Sequence, residues 1–198
     1  MSAAVALPHE QTGEWKQPSR GIVGMACLVI AESAIFIIFV VAYLFYIGKS
    51  LTGPTPREVL EIPWFASICL LSSSITVHFA VHDLRLNRLG RFIPWLAATV
   101  LLGGIFLAAT AMEWYDLIYH DGLTIRTNLF GTTFYSLVGL HASHVIVGLI
   151  MLGFALLAAL MGKVHAHHAE RLEVVSIYWH FVDAVWVVVF TVVYIVGR

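Results

Sequence analysis

Five stretches of this chain stay apolar for long enough to cross the hydrocarbon core of a bilayer, and no other property narrows its fold so far. A helix rises about 1.5 Å per residue, so roughly 20 mostly apolar residues are needed to span about 30 Å of acyl chain. Runs of that kind, bounded by charge, Pro or Gly, lie at about 21–46, 64–81, 92–112, 130–161 and 174–196. Inside lipid a backbone amide finds no water, so each run must satisfy its own hydrogen bonds as a helix. The predicted fold class is therefore all-α: an integral membrane bundle of five transmembrane helices over residues 21–198, forming one domain behind a polar tail at 1–20. The connections, "GKSLTGPTPREVLEIP", "HDLRLNRLGR", "EWYDLIYHDGLTIRTN" and "GKVHAHHAERLE", leave no room for a separate soluble domain.

Composition agrees. The 198 residues are 60% hydrophobic and 12% charged, against roughly 45–50% apolar and about 25% charged in a soluble domain. A formal net charge of −1 gives nucleic acid no basic footprint, and that class of partner drops out. Cys27 and Cys69 sit in apolar runs, where a thiol acts as a small hydrophobe and implies no pairing. The tail "MSAAVALPHEQTGEWKQPSR" holds Pro8 and Pro18 and lacks the basic start, apolar run and cleavage site of a signal peptide. It is expected to stay on the mature chain. Lys16, Arg20, Arg85, Arg88, Arg91, Lys163 and Arg171 fall on one side of the bundle, and Lys49, Arg57, Arg126 and Arg198 on the other. That bias predicts a cytoplasmic N-terminus and a periplasmic C-terminus.

Ionisable groups within a span are expensive, about 2.5–3.5 kcal/mol for Asp, Lys or Arg at a helix centre on insertion scales, so they face a bundle interior or a cavity. Here they are Glu32 in the first span, His141 and His144 in the fourth, and His180 and Asp183 in the fifth. A spacing of three residues puts each pair on one helix face. The partners of His180 and Asp183 are expected on spans one and four, giving one interior polar cluster of these five residues. Three readings stay open: neutral hydrogen bonds between helices, a proton or lipid contact site, and a metal or haem site. The spacing argues against metal: a bis-histidine haem wants its ligands on different helices at matched depth, and the His-Glu-x-x-His pattern is absent. No catalytic residue and no metal ligand is predicted in this chain.

Outside the cluster, His78, His82 and the "HAHH" at 165–168 read as solvated interfacial imidazoles. The run "SSSIT" from Ser72 to Thr76 reads as a close-packing face with hydroxyls bonded back to helix carbonyls. Trp64, Trp95, Trp114 and Tyr115 read as interface belts.

Two motifs are more specific. "GTTFYSLVGLHASHVIVG" at 131–148 supplies Gly131, Thr133, Phe134, Gly139, His141, His144, Val145 and Gly148, and "YWHFVDAVW" supplies Tyr178, Trp179, His180, Phe181, Val182, Asp183, Val185 and Trp186. Together they resemble subunit III of the haem-copper respiratory oxidases, the cytochrome c and quinol oxidases, in its short five-helix bacterial form. Glu32 falls where that family keeps a buried glutamate, and "LLSSSIT" and "GGIFL…MEWYDL" extend the similarity over about 24–198. Two departures stand out: Thr110 where the family usually has Gln, and Trp114 where it usually has Tyr after the glutamate matched by Glu113. The seven-span form has two further helices, and the phospholipid cleft they create is not expected here without another subunit as its second wall.

The resemblance implies a non-catalytic subunit of a proton-pumping terminal oxidase in a bacterial inner membrane. It would carry no cofactor of its own, with haems and copper in partner subunits. Its main partner would be subunit I, beside other subunits including II and membrane phospholipid. The implied roles are stabilising the catalytic subunit, supporting proton uptake, and a lipid-lined route for oxygen. In that reading Glu32, His141, His144, His180 and Asp183 organise the interior. The alternatives are an accessory subunit of a nitric oxide reductase, an independent metal or haem membrane protein, and a small transporter. The last should show two related halves, into which five spans divide poorly.

Overall fold

The computed structural model describes residues 19–50 and 53–197. The expectations for the first eighteen residues of the tail and for Arg198 lie outside them. Six α-helices follow in order: α1 (Arg20–Tyr46), α2 (Pro56–Val59), α3 (Trp64–Arg85), α4 (Leu89–Tyr119), α5 (Leu129–Leu160) and α6 (Ala169–Phe190). The chain enters α6 through one 3-10 turn, Ala166–His168, and leaves it through a π-helical turn, Thr191–Val196. Five of these elements are long and apolar enough to cross a membrane. Only the single turn α2 is too short.

The five spans stand where the apolar runs put them, but three are longer than hydropathy alone implies. The second ends at Arg85 rather than 81, the third covers 89–119 rather than 92–112, and the fifth begins at Ala169 rather than 174. Hydropathy stops at the first charge, whereas a helix stops where its last carbonyls find other donors. At the end of α3, Asn87 takes φ 56°, its N–H bonds to Leu84 O at 3.0 Å and that of Arg88 to Asp83 O at 2.9 Å. The same pair of bonds ends α5, where Gly162 at φ 70° bonds Ala159 O and Lys163 bonds Ala158 O, both at 3.0 Å. These are Schellman closures, which need a residue that tolerates the left-handed region. The charged ends of α3 and α4 are thus helical, and the loop between them shrinks to three residues.

α6 is the hub. It packs on α1, α3 and α5, while α4 packs on α3 and α5. Between α3 and α6 the contact is made by large rings on small residues: Trp179 Nε1 donates to Ser73 Oγ at 2.8 Å and Trp186 Nε1 to Ser67 Oγ at 3.1 Å. All four residues are buried. α1 is the peripheral helix, with only Phe36 and Tyr43 buried along its length.

The start of α5 is fixed by Asn128, whose side chain accepts from Gly131 N at 2.8 Å, the capping bond that stabilises a helix N-terminus. Gly131 has no room for a side chain, since a Cβ there would lie 2.4 Å from the Thr124 carbonyl oxygen. Gly131→Ala is expected to push the 120–128 loop off α5 at a cost of about 1–3 kcal/mol, the range for overpacking. A thermal unfolding midpoint indistinguishable from the parent would refute that.

Candidate functional site

The five ionisable residues at membrane depth separate into three settings rather than one. Glu32 on α1 meets His144 on α5, with Nε2 and Oε2 3.1 Å apart. The His144 Nδ1 lies 2.8 Å from the Leu140 carbonyl oxygen of its own helix. A carbonyl can only accept, so Nδ1 carries a proton and Nε2 is the atom that faces the carboxyl. The pair is only partly covered, with side-chain exposures of 12% and 24%, and Phe36 packs beside it at 4.9 Å between ring centroids.

His180 and Asp183 form the second setting, and here the expectation of partners on spans one and four is corrected. Their partner is Ser74 on α3. Its hydroxyl lies 3.0 Å from His180 Nδ1 and donates to Asp183 Oδ2. The physical reason is helix phase: the α6 face that carries these residues is the one turned to the serine-rich face of α3, while α1 and α5 pack on other faces. Asp183 is 3% exposed, and its Oδ1 has no hydrogen-bond partner among the described residues.

His141 is the third. It is fully buried, and neither ring nitrogen has a partner among the described residues. Its ring stacks on Trp186 at 5.0 Å and 29° and meets the edge of Phe106 at 5.9 Å and 82°. It is housed as an aromatic, with its N–H left only weak contacts of the π type.

The serine run does more than bond back to its own helix. Ser72, Ser73 and Thr76 do bond back to Cys69, Leu70 and Ser73 carbonyls, but Ser73, Ser74 and Thr76 also reach other helices, Thr76 meeting Thr99 of α4 at 2.8 Å. Trp114 is corrected as well. It turns inward, edge-on to Tyr135 at 5.2 Å and over Gly139, whereas Trp64 and Tyr115 are exposed as interfacial rings should be. A further, partly buried contact that the sequence reading did not include joins α4 to the π turn. Glu113 Oε1 on α4 accepts from Tyr194 of the π turn at 2.9 Å.

Among the described residues no three His, Cys, Asp or Glu side chains come together so as to hold a metal ion. Apart from His141, the ionisable groups at membrane depth bond across helix seams.

Residues 16–198 match the family described as Cytochrome c oxidase subunit III. The chain belongs to that family. It is 34% identical over 168 residues to the cytochrome c oxidase subunit 3 of Bacillus sp. strain PS3, covering 84% of this chain and 81% of the relative. It is 36% identical over 196 residues to that of Synechocystis sp., covering 95% and 81%. A third relative, named "Probable quinol oxidase subunit 3", from Staphylococcus saprophyticus, is 31% identical over 76% of this chain and 75% of its own length.

With subunit III as the family, its motif residues acquire places. Gly148 and Trp179 touch each other, Glu32 and His144 form the α1–α5 bond, and His180 and Asp183 share Ser74. Of the two departures, Thr110 spends its hydroxyl on Phe106 O at 3.0 Å. Trp114 fills the α4–α5 seam.

Proposed function

We propose that this subunit III chain is a non-catalytic member of a proton-pumping haem-copper terminal oxidase, packed against the catalytic subunit that carries the haems and copper. The observation that carries the reading is the family match over residues 16–198. Two further features support it. The buried polar residues are spent on holding α1, α3, α5 and α6 together, the expected use of such groups in a scaffold. And α1 turns Ile30, Ile37, Ile38 and Val41 outward, all more than half exposed, an apolar face suited to another helix or to lipid.

In the complex, the chain stabilises the catalytic subunit, supports proton uptake and binds phospholipid. The excess of Lys and Arg at the α3–α4 and α5–α6 loops supports a cytoplasmic setting for that end. The electron donor, cytochrome c or quinol, is the business of other subunits, and the relatives carry both names.

Mild extraction of the tagged chain, followed by mass identification of what accompanies it, tests this. A haem-bearing multi-span subunit should co-purify, and the Soret absorbance should stay with that subunit when the chain is stripped away. A chain that purifies alone with a Soret band of its own would overturn the proposal.

A further inference from the structure

The Ser74 hydroxyl stands between an imidazole and a carboxyl, and above the imidazole the seam opens. A crevice of about 210 Å³ lies between α3 and α6, lined by His78, His82, Arg85, Glu173, Ser176 and His180. It sits toward the α3–α4 loop. At its mouth Arg85 and Glu173 are paired at 2.5 Å, and His78 and His82 are exposed. His180 lines it too, and with Nδ1 committed to Ser74, Nε2 is the ring nitrogen still able to take up a proton. Behind it lies Asp183, buried, with one oxygen taking the Ser74 bond and the other without a partner.

We propose that Asp183, Ser74 and His180 form a one-proton store within the membrane, loaded from the α3–α6 crevice. The transfer balances at every atom. A proton arriving at Nε2 makes the imidazolium. The Nδ1–H bond then breaks as a new O–H bond forms on Ser74 Oγ, while the original Ser74 proton moves to Asp183 Oδ2. The result is a neutral carboxylic acid, a neutral Nε2–H imidazole and a serine hydroxyl that now donates to Nδ1. No charge is left in the oil in the loaded state, which removes the cost of keeping a carboxylate at this depth with one hydroxyl for company.

The charged and titratable groups that face the crevice are His78, His82 and Arg85 from α3 and Glu173 from α6. Arg85 and Glu173 neutralise each other there. Asp83 faces a different crevice, between α3 and α4. Glu32, His141 and His144 lie on the α1 and α5 side and make no hydrogen bond to the triad. The exposed imidazoles are thus the donors nearest the mouth, and among the described residues His180 is the titratable link between the crevice and Asp183.

This gives residue-level form to the proton-uptake role proposed above, and rests on that reading only for calling the loading side cytoplasmic. The test therefore uses the full chain itself, in nanodiscs, whatever it assembles with. Infrared spectra in H2O and D2O should show a protonated carboxyl band that shifts on deuteration and is lost in Asp183→Asn. The rapid phase of that shift after mixing with D2O should be lost in Ser74→Ala and in His180→Gln and return in Ser74→Thr. In the unmutated chain reconstituted into vesicles, the band should respond to a pH jump on the side of the α3–α4 loop. No band lost in Asp183→Asn, exchange in Ser74→Ala as fast as in the parent, or a response to the opposite side alone would each overturn the store. Failure of the co-purification experiment would leave it standing.

Discussion

Gly148→Leu is expected to be among the most damaging single substitutions in the bundle. The reason is the indole of Trp179, which is fully buried and held on two edges. A Cβ on Gly148 of α5 would lie 2.7 Å from Trp179 Cε3 and 2.8 Å from Cζ3, and one on Gly103 of α4 would lie 2.9 Å from Cη2 and 3.0 Å from Cζ2. The ring is rigid, so it cannot yield to one side without striking the other. Its Nε1 is tied to Ser73 on α3 as well.

Four helices therefore meet at one residue, and the two glycines are the space it occupies. Overpacking a core costs about 1–3 kcal/mol and occasionally more, and expelling the ring would add the loss of about 1 kcal/mol for its hydrogen bond. Trp179→Ala, which empties the same site, should cost about 3–5 kcal/mol. Gly104→Ala is the control: nothing lies within 4 Å of a Cβ there, and removing a helical glycine is worth up to about 1 kcal/mol. Equilibrium unfolding in mixed micelles, followed by tryptophan fluorescence, should rank Gly104→Ala at or above the parent and Gly148→Leu far below it. Equal stability of the two would mean that the glycines are not the mould for Trp179.

That contact also shows what a sequence gives away and what it hides. The spans were legible because the bilayer imposes a length, and a length is countable. Some of their ends were not: at the end of α3, Asn87 closes the helix four residues past the apolar run through backbone bonds that hydropathy does not register. The ionisable residues were legible for the opposite reason: each is so costly in oil that its presence alone marks it. Their partners were harder. Ser74 is silent in sequence because a helical serine can satisfy itself on its own backbone, as Ser72 does, and only the phase between α3 and α6 decides that it reaches across. The Glu113–Tyr194 bond had a usable signal, a carboxylate near the end of an apolar run opposite a tyrosine at the end of another. His141 had none, because a histidine at helical spacing from His144 looks like its companion and is in fact stacked on Trp186.

The attachment of α1 supplies the second large effect. Lipid tails are as apolar as leucine, so no hydrophobic force presses this helix onto the bundle, and packing and polar bonds must hold it. Its buried rings are Phe36, beside the His144, His141 and Phe181 rings, and Tyr43, against Phe130 at 6.5 Å. Among the described residues its one side-chain hydrogen bond to α5 is Glu32 to His144. His144→Leu leaves the Glu32 carboxyl in hydrocarbon without a partner, and Glu32→Leu leaves His144 Nε2 with nothing to meet; each should cost about 1–3 kcal/mol, the penalty for stranding a buried polar group. The double substitution strands neither and lets two leucines pack in the seam. It should therefore cost clearly less than the sum of the singles, with a coupling near the roughly 0.6–1.7 kcal/mol measured for hydrogen bonds between membrane helices. The cycle is read from unfolding of the parent, both singles and the double in the same micelles. Strict additivity of the two singles would show that the bond does no holding, and that Phe36 and Tyr43 alone keep α1 in place.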